Sequence, residues 1–363
     1  MDLNQPMFFA PNRVWRLYTG GLLLDRFIGN NQEADSHLPE EWLASTVLAN
    51  NGEHSLHPNE GLARVLINGE EGPLLLDLLS HYGDQILGNK HFRKYGNNTA
   101  VLCKYLDSAI RLPIQCHPDA ITAMELYNSP FGKTESWHII STRKIGGDDP
   151  YILLGFKPGI TAKEFSVAVG KQTIDKMIGM LHRINVEPGE TYFVPARMPH
   201  AIGAGVFMLE VQEPSDWVIQ PEQYCADIQL NYNDMWGPLS AEDGLKVFDY
   251  SGYTMKELMK KVGPSNRILT NTKNLKVTEL IGPEHTSAFG LWKACVKGLT
   301  RIDLPVEFAI FIVEKGNGIL KWSGNSKFVT RSNYFLKPAS LRNLEFTTND
   351  SLELLICLPP ILV

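Results

Sequence analysis

At 363 residues the chain is too long for one ordinary hydrophobic core and long enough for two domains, or for one large domain with insertions. Its 44% hydrophobic and 20% charged content is near the globular average, which excludes disordered and fibrous classes. A formal charge of −6 and a pI near 6 argue against nucleic acid as a partner, because such binders present a basic face. Five cysteines, at positions 103, 116, 225, 295 and 357, show no CxxC spacing and are odd in number. That suits reduced thiols in the cytoplasm better than a disulfide framework. The start, Met1 to Pro6, lacks the basic and apolar regions of a signal peptide. The apolar stretch from Leu352 to Val363 is too short, and too interrupted by Pro359 and Pro360, to span a bilayer. A cytoplasmic protein without a membrane partner is expected.

In chain order, Trp15 precedes Gly20-Gly21 and a short apolar helix ending near Gly29. The stretch from Leu38 to Leu48 reads as a strand at its end. Glu40, two residues before Trp42, reads as an exposed carboxylate beside a partly buried indole, with a role in a site as the alternative. His54 and His57 fall in a polar loop with Pro58 and Gly61 and read as solvated. Pro73 to Leu79 predicts a helix with an apolar face, and Ala100 to Tyr105 a buried strand. A strand over 110–117 ends at Pro118, and Asp119 is placed to cap a helix over Ala120 to Tyr127. Lys133 to Ser141 and Tyr151 to Phe156 predict strands. Thr161 opens a helical interlude to about His182, and Asn185 to Pro195 returns to β structure through a Pro-Gly turn. A helix is expected over Tyr253 to Lys261. The remainder reads as short strands, among them Glu307 to Val313, Gly318 to Trp322, Asn333 to Leu336 and Leu352 to Cys357.

These elements predict a mainly β protein. Residues 1–240 form a jelly-roll barrel with helical insertions at about 119–131 and 161–182. A helical connection follows at 241–265, and a second, smaller β-sandwich at 266–363. The only histidine of that last part is His285, so no second metal site is expected there.

The chemistry concentrates in Leu112-Pro-Ile-Gln-Cys-His-Pro-Asp119, in Gly132-Lys-Thr-Glu-Ser-Trp137, and in Pro195-Ala-Arg-Met-Pro-His-Ala-Ile-Gly203. Residues two apart on a strand share a face, which pairs Gln115 with His117, Lys133 with Glu135, and Glu210 with Gln212. Gln115, His117, Glu135 and His200 together offer nitrogen and oxygen donors suited to zinc or a neighbouring divalent metal. Cys116 points the other way and reads as core. Spacing alone does not choose between such a site and four separately satisfied buried polar residues, because Gln-x-His and Lys-x-Glu are short patterns.

The ordered set Gln-x-His-Pro-Asp, Gly-Lys-Thr-Glu-x-Trp, Pro-Ala-x-x-x-His-Ala-Ile-Gly-x-Gly and Leu-Glu-x-Gln-x-x-Ser-Asp resembles class I mannose-6-phosphate isomerase, a family of zinc-dependent cupins. The early Trp, Gly-Gly and Glu-x-Trp elements resemble its N-terminus, and the likeness runs from roughly residue 13 to 220. It implies a cupin barrel followed by a second β domain, and one zinc per chain held by Gln115, His117, Glu135 and His200. It further implies Glu210 as proton-transfer base and Lys133 beside the metal, holding substrate oxygens. The implied reaction interconverts mannose 6-phosphate and fructose 6-phosphate through a cis-enediol. Two positions depart from the family pattern. Gln220 stands where an arginine is usual, and Pro113 where a serine hydroxyl is frequent, so two groups suited to an anion are missing. Arg197 is a candidate replacement cation, and Glu40 and Gln220 complete the substrate-contacting candidates. The alternatives are an isomerase of an unphosphorylated or different sugar, and a metal-retaining sugar-binding protein without turnover.

Overall fold

The computed structural model describes residues 2–362; Met1 and Val363, the outermost positions of the two expected domains, lie outside the described residues. A six-stranded antiparallel sheet runs in the order Thr191–Val194, Glu135–Thr142, Val206–Gln212, Leu102–Ser108, Glu40–Leu43 and Arg13–Val14. A three-stranded sheet of His200–Ile202, Tyr151–Phe156 and Leu181–Asn185 accompanies it. Leu106, Trp137, Ile139 and Met208 of the first sheet share one core with Ile152, Leu154 and Ile202 of the second. The result is a barrel-like sandwich, as the strand pattern predicts.

A ten-stranded sheet occupies the C-terminal part, its main path including Ala309–Trp322, Leu352–Leu358, Gly290–Val296 and Leu275–Ile281. The N-terminal strand Met7–Phe8 crosses over and pairs with Tyr334–Lys337 of that sheet. We propose the domain boundaries near 240 and 265, with the N-terminal strand acting as a clasp on the second domain.

The central strands of the six-stranded sheet are buried on both faces, and the charged residues they carry, such as Lys104 and Glu210, pair with one another. Along Val206–Gln212, Met208 enters the barrel core, whereas Phe207, Leu209 and Val211 pack with Ile310, Ile312, Leu355 and Cys357 of the second domain. Cys103 and Tyr105 join that same inter-domain core. One polar cluster interrupts it. His138 Nε2 lies 3.2 Å from Glu314 Oε1, and Lys293 Nζ lies 2.6 Å from Glu314 Oε2. Burial raises the Glu314 pKa, but the His138 hydrogen bond and charge, followed by Lys293, outweigh it and hold it at about 2. The stability this carboxylate adds is therefore complete above its unfolded pKa and is lost as pH falls from there toward 2. Glu314→Ala leaves buried His138 without its anion and Lys293 with Glu353 alone, at 2.8 Å, with an expected loss of about 3–5 kcal/mol in urea unfolding at neutral pH. A loss under ~1 kcal/mol would show that the cluster contributes little to domain docking.

Several expected elements shift. The strand expected at the end of 38–48 occupies Glu40–Leu43 instead, because Ala44 takes φ 49° and ends the ladder. The expected strand over 110–117 is irregular, reduced to bridges of Gln115 with His200 and Cys116 with Ile219. Pro113 and Pro118 withhold ladder donors there. The helical interlude is two short helices, Ala162–Gly170 and Ile174–Gly179, and His182 belongs to the strand Leu181–Asn185. Strands 307–313 and 318–322 merge into one, Ala309–Trp322. The Asp119 cap forms as expected, its carboxylate accepting from Thr122 N at 2.8 Å at the start of Ala120–Tyr127. Among the described residues, no helix is long and apolar enough to cross a membrane.

Candidate metal centre and substrate cavity

The two proline-flanked segments meet the barrel through backbone bonds. Gln115 and His200 exchange both backbone bonds, at 2.8 and 2.9 Å, and Leu112 N donates to Ile202 O at 2.9 Å. Glu222, buried, clamps the same segment: it accepts from Ile114 N at 2.5 Å and takes Arg111 bidentately at 2.8 and 2.7 Å. Gly132 lets the next segment approach. A Cβ there would lie 2.7 Å from Ala120 N and 2.8 Å from Pro118 O, so any side chain would push Lys133 and Glu135 away from His117.

His117, Glu135 and His200 are buried, and one donor atom from each lies within 4.8 Å of the others. His117 Nδ1 donates to Trp217 O at 2.8 Å, and His200 Nδ1 donates to Met198 O at 2.8 Å. A carbonyl only accepts, so each ring carries its proton on Nδ1 and turns an Nε2 lone pair toward Glu135. Glu135 Oε1 is 3.1 Å from His117 Nε2, and its Oε2 is 3.9 Å from His200 Nε2. His200 Nε2 is buried with no hydrogen-bond partner, an uncommon state for a polar atom in a protein interior. Burial, then the charge of His117, lowers the His200 pKa to about 3. Burial and Lys133 likewise lower His117. Burial opposes ionisation of Glu135, yet the charge of Lys133, with Nζ at 2.9 Å, holds it well below the usual range. Two neutral imidazoles and one carboxylate, with an orphaned lone pair between them, fit a divalent cation.

Beside this cluster opens a cavity of about 510 Å³, lined among others by Gln115, Lys133, Lys104, Glu210, Glu40, Arg16 and Gln220. Glu210 is opposite Lys104 on one neighbouring strand and Trp137 on the other. Its Oε2 is 3.1 Å from Lys104 Nζ, and its Oε1 accepts from the Trp137 indole at 3.2 Å. The same indole N–H reaches Glu135 Oε2 at 3.1 Å, tying the two carboxylates together. Burial, then the charge of Glu135, pushes the Glu210 pKa up to about 7 against Lys104 and Lys133.

The structure thus gathers Gln115, His117, Lys133, Glu135, His200 and Glu210 in one place. Glu40 also lines the cavity, but as a buried wall residue rather than an exposed carboxylate, and Trp42 is fully buried. Its Oε1 accepts from Tyr18 Oη at 2.6 Å, while Oε2 accepts from Trp42 Nε1 at 2.7 Å and faces Arg16 Nε at 3.0 Å. Burial alone would raise its pKa; Arg16 and Lys104 hold it at about 2. Arg197 does not line the cavity. With φ 68°, it turns its guanidinium onto Val247 O and Lys246 O, at 3.1 and 3.3 Å. Gln220 lines the cavity and donates its amide to Asp234 O at 3.0 Å. His54 is exposed but stacks on Trp15 with ring centroids 4.2 Å apart at the cavity wall, whereas His57 is simply exposed. Arg16, Lys104 and Asp216 were not legible as site residues. The one usable signal was Lys104, a charge inside the apolar run Val101–Leu106, where burial demands a partner.

Two facing antiparallel sheets enclosing such a donor cluster define a cupin-fold protein with a candidate metal centre. No protein-family model matches the chain. Among curated proteins it is 25% identical over 356 residues to YvyI of Bacillus subtilis (strain 168), provisionally named a mannose-6-phosphate isomerase, covering 97% of this chain and 98% of that one. It is 35% identical over 121 residues to the mannose-6-phosphate isomerase ManA of the same organism, covering 33% and 36%. The crystal structure of a mannose 6-phosphate isomerase from Bacillus subtilis superposes with a TM-score of 0.73 at 23% identity, covering 97% of this chain and 99% of that chain. In sequence the chain is thus similar to proteins named mannose-6-phosphate isomerase, and it shares the fold of one whose crystal structure is known.

Proposed function

We propose that the chain is a zinc-dependent aldose–ketose isomerase interconverting mannose 6-phosphate and fructose 6-phosphate through a cis-enediol. The observation that carries this reading is Glu210. A buried carboxylate with proton affinity near neutrality is tied through one indole N–H to a cluster of imidazole and carboxylate donors. His117, Glu135 and His200 would hold the metal, with the Gln115 amide as fourth donor. Zinc suits that nitrogen-and-oxygen set, and one of the similar solved structures is a mannose 6-phosphate isomerase bound with zinc and yttrium. When bound, the metal supplies Lewis-acid stabilisation of the charge that develops on the sugar oxygens.

The remaining roles fall to the chain itself. Glu210 removes the proton from C2 of the aldose and returns it to C1, while the O2 hydroxyl proton passes to O1. Burial raises the proton affinity of this carboxylate, which suits a group that both accepts and returns a proton. Lys104 on Oε2 and Trp137 on Oε1 fix the carboxylate in place. Lys133, at 2.9 Å from Glu135, is placed to hold substrate oxygens next to the reacting carbons. The free thiols of all five cysteines support a reducing, cytoplasmic setting.

Turnover of mannose 6-phosphate by metal-loaded protein, beside a chelated sample, tests this reading. Activity should vanish on chelation and return with zinc. Full activity in protein shown by elemental analysis to hold no metal would refute the metal-dependent mechanism.

A further inference from the structure

A buried carboxylate takes the place of a strand carbonyl beside Gln115. Gln115 exchanges both backbone bonds with His200, so the N–H groups of Ile114 and Cys116 turn to the opposite side of the segment. There Cys116 exchanges bonds with Ile219, at 2.9 Å each way. Continued antiparallel, that register would set Pro221 opposite Ile114. The Pro221 carbonyl instead accepts from Gln172 Nε2 at 2.9 Å, and Pro221 has no N–H to give. Glu222 fills the gap, its Oε1 accepting from Ile114 N at 2.5 Å. Arg111 braces it from the far side of Pro113. Its Nη1 donates to Leu112 O and to Glu222 Oε1, both at 2.8 Å, and its Nη2 donates to Glu222 Oε2 at 2.7 Å. Glu222 is 1% exposed, so these bonds replace the water it has lost. Ile114 packs in the barrel core, and Gln115, the next residue, lines the cavity. The other three proposed donors are each oriented by a hydrogen bond on their own side chain: His117 by Trp217 O, His200 by Met198 O, and Glu135 by the Trp137 indole. Gln115 is oriented through its backbone. An amide oxygen carries no charge, so its value as a metal donor depends on being in place before the metal arrives.

We propose that Glu222, braced by Arg111, is a positioning residue for the metal centre, raising its affinity for zinc by fixing Gln115 as the fourth donor. The inference rests on the metal-dependent reading above, with Gln115 as a ligand. Zinc affinity is measured on the whole chain by competition with a chromophoric chelator, a readout independent of turnover. In Glu222→Gln one acceptor oxygen remains where the carboxylate offers two, and an N–H is set against a donor of Arg111. Its zinc Kd should rise by about 10-fold, the loss typical when a group that orients a ligand is changed. Arg111→Met removes the brace at its partly exposed end and should shift Kd in the same direction; it carries the test if Glu222→Gln does not fold. The decisive comparison is made in Gln115→Ala, which should itself raise the zinc Kd by about 10-fold or more. In that background either substitution should change Kd by less than about 3-fold, because the residue it acts through is gone. A clamp that merely stabilises the barrel would weaken zinc binding equally in both backgrounds. Full additivity with Gln115→Ala, or an unchanged Kd in folded Glu222→Gln, overturns the inference and leaves the metal-dependent reading standing. An unchanged Kd in Gln115→Ala alone removes Gln115 from the ligand set, and the inference falls with it. Failure of the unaltered chain to bind zinc sinks the metal-dependent reading itself.

Discussion

Glu135→Gln is expected to yield folded protein without metal and with kcat/KM lowered by about 10³-fold or more. Lewis-acid stabilisation is worth several kcal/mol, and each ~1.4 kcal/mol is a factor of ten. The substitution keeps the shape of the side chain and removes only its charge. Two neutral imidazoles whose Nδ1 atoms are fixed by Trp217 O and Met198 O then face an amide, and Lys133 loses its buried anion at 2.9 Å. His200→Ala removes a donor outright and should give the same loss. Metal content is read by elemental analysis on material that elutes as folded protein and retains its circular dichroism. Stoichiometric metal in both variants would remove these residues from the ligand set.

Glu210→Gln separates chemistry from metal binding. This variant should retain its metal and lose about 10²–10⁴-fold in kcat, the range typical of a positioned general base. A direct readout is exchange of the C1 hydrogen of fructose 6-phosphate with deuterated solvent, followed by NMR, which should stop. In the unaltered enzyme only ionised Glu210 accepts a proton from the aldose, so kcat/KM should rise with pH through the pKa of this group. Without metal that pKa is about 7, raised by burial and by the charge of Glu135. A cation beside Glu135 offsets that charge, so the inflection of the loaded enzyme should fall below about 7. A variant that still exchanges hydrogen at more than about a tenth of the normal rate would exclude Glu210 as the base.

The residue alternation that carries the site was readable from sequence because it is a local property. The pairing of Glu210 with Gln212 follows from the period of a strand, and Asp119 follows from helix capping. What sequence left hidden depended on partners far away in the chain. Glu40 read as an ordinary surface acid until Tyr18, Arg16 and Trp42 closed around it. Arg197 read as a spare cation, and only the folded loop shows its guanidinium bound to carbonyls at 246 and 247. The segment 110–117 read as a regular strand, whereas its prolines leave two bridges that depend on His200 and Ile219. The charge pairing of Arg16 with Asp216 spans 200 positions and leaves no local trace.

The sheet buried on both faces makes the protein unusually intolerant of small length changes at one place. Between Val206 and Gln212, successive side chains serve two different compartments: Met208 and Glu210 the barrel interior, Phe207, Leu209 and Val211 the seam with the second domain. Deleting one residue ahead of Glu210 would shift every later side chain to the opposite compartment. The acid would enter an apolar seam, and a leucine or valine would take its place beside Lys104. Point substitutions can therefore reshape the cavity wall from the interior side while the seam stays untouched, but insertions and deletions in this strand alter catalysis and domain cohesion at once. Natural or laboratory variation in loop length belongs at the cavity mouth, around residues 50–54 and 231–238, where the chain can change size without turning the partition inside out.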